Sequence, residues 1–98
     1  MQVKIHELAV KELEEAIEWY ELQAKGVGKK FKESVLMQIK KIKKYPNWYL
    51  LESDEIYKAY IPKFPYKILF TIEKNNIITI WALSHLHRKP LYWQKRIT

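Results

Sequence analysis

Residues 56–83 read IYKAYIPKFPYKILFTIEKNNIITIWAL. Apolar and polar side chains alternate with a period of two from Ile56 to Ile61 and from Lys67 to Glu73, and a third apolar run extends from Ile77 to Leu83. The stretch therefore predicts three strands. Asn75-Asn76 predicts a tight turn and the segment Pro62, Phe64, Pro65 a short connection, which together favour an antiparallel meander. Ile77, Ile78, Ile80 and Trp81 are almost continuously apolar, as suits a central strand buried on both sides.

Upstream the period changes. From Glu7 to Ala24, Ala9, Leu13, Ala16, Ile17, Tyr20 and Ala24 fall on one helical face, while Glu12, Glu14, Glu15, Glu18 and Glu21 supply a solvated side. Gly26 and Gly28 stop this helix. A second follows, with Phe31, Val35, Ile39 and Ile42 at helical spacing up to Tyr45 and Pro46 as its end. Lys40, Lys41, Lys43 and Lys44 crowd its last turn, where cations complement the helix dipole. Val3 to His6 alternate as a short first strand would. The predicted fold is α+β in the order β-α-α-β-β-β: an N-terminal strand and a two-helix antiparallel hairpin packed on a twisted antiparallel sheet, with residues 1–98 forming one domain.

Composition narrows the function. A chain of 98 residues is too short for a two-domain nucleotide-binding enzyme or a barrel. With no cysteine it has no disulfide framework, thiol nucleophile or thiolate zinc site, and a reducing, cytoplasmic setting is expected. No apolar run approaches the roughly 20 residues that cross a bilayer, so no membrane partner is expected. The net charge of +7 points to an anionic partner. It is unevenly spread: residues 1–24 carry six acids and two lysines, whereas residues 25–45 carry eight lysines and one glutamate. Only Arg88 and Arg96 can fork a phosphate, and both lie in the last eleven residues.

Residues 84–96 read SHLHRKPLYWQKR and gather two of the three histidines, both arginines and two large aromatics beside the proposed central strand. Imidazoles move protons near neutrality, guanidinium holds phosphate, and Tyr or Trp stacks on a base. Together these outline a metal-free ribonuclease, in which a base takes the ribose 2′-OH proton and cations stabilise the phosphorane. Lys58 and Lys67 join this set where the meander brings them to the same face. The three histidines, with no acid close to the C-terminal pair, form no convincing metal-ligand set, and no cofactor is implied. Trp48, Trp81 and Trp93 are by default packing residues, and Arg96 near the chain end is by default solvated.

Taken together, Ala16-Ile17-Glu18-Trp19-Tyr20, Phe31, Lys63-Phe64-Pro65-Tyr66-Lys67-Ile68 and His85-Leu86-His87-Arg88-Lys89-Pro90-Leu91-Tyr92-Trp93 resemble the pattern of the RelE/ParE superfamily of toxins from bacterial type II toxin-antitoxin modules, also called plasmid stabilisation proteins. The resemblance spans nearly the whole chain. It implies a small α+β toxin neutralised by a cognate antitoxin in a toxin-antitoxin hetero-oligomer. RelE-like members cleave mRNA on the ribosome without metal, whereas ParE-like members inhibit DNA gyrase by binding. A degenerate member would only pair with its antitoxin.

The reading preferred from sequence is RNA cleavage. It assigns His85 or Lys58 as proton acceptor, Arg88 and Lys67 as phosphate stabilisers, and Tyr92 as base stacker or proton donor. Lys63, Trp93 and Arg96 are then nucleic-acid contacts, with Trp19 and Tyr20 as anchors for the antitoxin. Two positions depart from the nuclease pattern: Tyr60 stands where a second strand lysine is expected, and Leu86 where another cation often occurs.

Overall fold

In the computed structural model, which describes residues 2–97, strand β1 (Gln2–Ile5) leads directly into helix α1 (Glu7–Gln23). Met1 and Thr98, the ends of the expected domain, lie outside the described residues. His6 begins the helix: its Nδ1 accepts a hydrogen bond from the Leu8 N–H at 3.1 Å, the part a Ser or Asp side chain commonly plays. Helix α2 (Val27–Lys44) follows a turn in which Gly26 adopts φ +88°, open to glycine without strain. The Glu21 carboxylate accepts from the N–H groups of Gly26 and Gly28, so it caps α2 across the turn instead of merely facing solvent. A Cβ on Gly28 would lie 2.6 Å from the Ile17 carbonyl oxygen, and its absence is what lets the two helices close on each other here.

Four further strands complete the sheet: β2 (Leu50–Ser53), β3 (Ile56–Tyr60), β4 (Tyr66–Glu73) and β5 (Ile77–His85), in the order β1-β5-β4-β3-β2. The meander β3-β4-β5 is antiparallel as expected, and Asn75 and Asn76 both take positive φ in its tight turn. The sheet as a whole is mixed, because β1 lies parallel to β5 with Val3 opposite Ile78. Strand β2 is an addition to the predicted order. It is four residues long, and Leu50-Leu51-Glu52 shows no alternation that would mark it.

Phe31, Val35 and Ile42 from α2 and Ala9 and Ala16 from α1 pack on Ala59, Ile68, Phe70, Ile78 and Ile80, forming the main core on one face of the sheet. A smaller core on the opposite face unites Ile56, Leu69, Ala82 and Trp93. The C-terminal segment thus folds back across the sheet, and β5 is covered on both faces. A bulge makes this possible: Leu69 faces Ala82 while Phe70 faces Ile80, leaving Trp81 as the extra residue on β5.

Candidate functional site

Past Ile80, β1 no longer runs beside β5, and side chains take its place. The Leu83 N–H donates to Glu12 Oε1 at 3.1 Å, and Arg96 Nη1 donates to the Trp81 carbonyl at 2.9 Å. Glu12 and Arg96 also pair in a two-pronged ion bridge of 2.8 and 3.0 Å, and the Tyr92 hydroxyl donates to the other Glu12 oxygen at 2.6 Å. The side chains of Glu12 and Arg96 are only 14% and 11% exposed. One glutamate from α1 therefore holds the C-terminal segment against the open flank of β5.

This arrangement alters several of the expected roles. Arg96, expected as a nucleic-acid contact or a solvated end residue, spends its guanidinium on Glu12. Trp93, expected to stack on a base, is 3% exposed in the smaller core and has no free ring face. The Tyr92 hydroxyl is already donated to Glu12, and its pKa is pushed up to about 12, first by burial and then by that bond. Because this value lies above the ordinary 10.0, the stability gained from the neutral phenol is complete below pH 10 and is lost as the pH rises through 12. Tyr92→Phe is expected to reduce the fall of the urea midpoint between pH 10 and 12 and to cost about 1.5 kcal/mol at pH 7. The same alkaline loss in both proteins would show that Tyr92 does not control this limb.

On the face away from the helices, Lys58 of β3 and Lys67 of β4 converge as the sequence suggested, but on a carboxylate. Glu52 of β2 lies 2.8 Å from Lys67 Nζ and 4.0 Å from Lys58 Nζ. Sequence reasoning misses Glu52 because no period marks the strand that carries it. Lys67 and Glu52 share a hollow of about 100 Å3 with Ser84, His85 and Arg88, so the strand lysine and Arg88 line one hollow, with an acid between the strand lysines. His85 Nδ1 accepts from the His87 N–H at 3.1 Å. In the neutral ring this places the proton on Nε2, which can then only donate. Lys63 is exposed in the β3–β4 connection with φ +69°.

Arg88 is more open than these groups and only loosely paired. Its side chain is 54% exposed, its guanidinium lies 4.0 Å over the Tyr92 ring, and Glu12 is 3.9 Å away. It also lines a second hollow, of about 240 Å3, with Trp19, Tyr66 and His85. Trp19 is exposed there, whereas Tyr20 is committed to the core against Phe31, Phe64 and Tyr66, with its phenol pKa raised by burial. Of the two expected antitoxin anchors, Trp19 is thus open to solvent and the Tyr20 ring is packed.

The family model of the ParE toxin of the type II toxin-antitoxin system, parDE, matches residues 3–90. The chain belongs to the ParE toxin family. It is the toxin of a type II toxin-antitoxin system, and membership implies an antitoxin partner. In fold, this ParE-family toxin is similar to a chain of the chromosomal ParDE TA system from P. aeruginosa, with a TM-score of 0.77 and 16% identity over 89% of this chain and 97% of that one. It is also similar to the isolated E. coli RelE toxin, with a TM-score of 0.66 and 16% identity over 99% and 98% of the two chains. No curated protein matches the ParE-family chain. Among its described residues, no helix is long and apolar enough to cross a membrane.

Proposed function

We propose that this ParE-family toxin acts by gripping its target and not by cutting RNA, with DNA gyrase the target that the ParE-like resemblance supplies. The observation that carries this reading is the engagement of the groups a nuclease would use. Lys58 and Lys67 flank Glu52, the Tyr92 hydroxyl is given to Glu12, and the His85 Nδ1 lone pair is taken by a backbone N–H. A scissile phosphate entering the hollow would meet the Glu52 carboxylate, a like charge that opposes the binding a phosphorane needs. Tyr60 and Leu86 offer no replacement cations.

Arg88 remains as the anchor. A guanidinium supported by a ring and half open to solvent suits an interface hot spot. Trp19 lines the same hollow as Arg88, so an antitoxin segment seated on Trp19 would cover the anchor and block the target directly. The whole chain then works as one toxin domain in the cytoplasm.

The purified toxin is expected to abolish supercoiling by purified gyrase and to leave a translated message uncut. Arg88→Ala should raise the toxin concentration needed for half-inhibition at least about tenfold, and Arg88→Lys should restore only part of the loss. Cleavage of the message within codons, with supercoiling unaffected, would overturn this reading in favour of ribosome-dependent RNA cleavage.

A further inference from the structure

The strongest surface outside the candidate site lies where α2 ends. Tyr45 and Trp48 stack face to face, with centroids 4.0 Å apart and planes within 5°. Local chemistry builds the pair. Pro46 opens a 3₁₀ turn over Pro46–Trp48, the Trp48 N–H donates to the Tyr45 carbonyl, and residues three apart eclipse in such a turn. Trp48 is nevertheless 72% exposed, so Tyr45 fixes its ring while leaving it largely open to solvent.

Lysines surround this ring pair. Lys40, Lys41, Lys43 and Lys44 are all exposed, and among the described residues none takes part in an ion pair; Lys44 Nζ also sits 5.3 Å from the Tyr45 ring centroid. The helix dipole accounts for cations in this last turn but gives no reason for a large indole held flat and open beside them. A flat, pre-ordered aromatic face amid unpaired cations is the combination that binds unpaired bases and their phosphates.

We propose that the end of α2 and the turn after it form a platform for single-stranded nucleic acid, with a base stacking on Trp48 and phosphates meeting Lys40, Lys41, Lys43 and Lys44. The platform shares no residue with the hollow of Lys67 and Arg88, and its occupancy does not depend on the gyrase reading. Because Tyr45 already orders the Trp48 ring, stacking a base loses little further side-chain freedom. An anionic bilayer would meet the same lysines, but an indole stacked flat on a phenol ring offers a planar face that a base matches better than an acyl chain does.

The test uses the full chain and fluorescence anisotropy with labelled oligo-dT, oligo-U and a duplex, each about 12 nucleotides long. Single strands should bind more tightly than the duplex. Trp48→Ala should weaken binding at least about fivefold while Trp48→Phe retains most of it, because a phenyl ring still stacks. Lys41→Ala with Lys44→Ala should reduce the slope of log K against log salt by about 0.7 for each phosphate left without its lysine. Tighter binding of oligo-dT assigns the platform to DNA and of oligo-U to RNA. Equal binding of duplex and single strand, or an unchanged affinity in Trp48→Ala, would overturn the proposal. So would Trp48-dependent binding to phosphatidylglycerol vesicles without oligonucleotide binding.

Discussion

Replacing Glu12 by Ala should lower the melting temperature by more than about 10 °C and loosen the C-terminal segment. The substitution leaves the Arg96 guanidinium almost buried without its counter-charge and strips the Tyr92 hydroxyl and the Leu83 N–H of their acceptor. Removing one member of a buried ion pair costs about 3–5 kcal/mol, because the remaining charge has lost water and gained nothing. Glu12→Gln should cost less, since one amide oxygen can still accept from Leu83. Glu12→Leu combined with Arg96→Met should recover part of the loss by removing both charges. Circular dichroism melting and hydrogen exchange over Trp93 to Arg96 measure the effect. A melting point within about 2 °C of wild type for Glu12→Ala would show that the bridge contributes little and that packing of Trp93 holds the segment.

Phe31→Ala is the second large effect. Phe31 is completely buried on α2, and its ring centroid lies 4.9–5.0 Å from those of Tyr20, Phe64 and Tyr66. Truncation removes the transfer energy of the ring and leaves a cavity, together about 3–5 kcal/mol, and the aromatic pairs add to this. A domain of this size has about 5–15 kcal/mol in all, so the variant should sit near its unfolding midpoint in little urea. Phe31→Leu should lose much less. The consequence reaches the site, because Phe64 and Tyr66 flank the connection that sets Lys67 on its strand, and Tyr66 touches the His85 ring at 5.0 Å. A urea midpoint unchanged in Phe31→Ala would mean that the cluster repacks without cost.

Much of the fold was legible because it follows from local periodicity. The meander from Ile56 to Leu83, the Asn75-Asn76 turn and the two helices are dictated by patterns that operate within a few residues. The site was legible only in part. Lys67 and Arg88 do share a hollow, yet Glu52, which lines it with them, lies on a strand too short and too uniform to show a period. Glu12 resembles its neighbours Glu14, Glu15 and Glu18 in every local respect. Its separate role arises because β1 stops short of Leu83 and exposes backbone groups that a carboxylate one helix away can reach.

The two helices, the three-strand meander and its tight turn are readable from this chain because hydrophobic spacing, proline and asparagine act on the backbone beside them, whereas the short β2 leaves no such mark. Which charges neutralise each other, and so whether the tail rich in histidine and arginine is a reactive surface or a fastened one, depended on partners 71 to 84 residues apart in sequence. Coulomb attraction and desolvation act through space, and a one-dimensional pattern carries no record of which carboxylate the fold will bring within about 3 Å of a guanidinium.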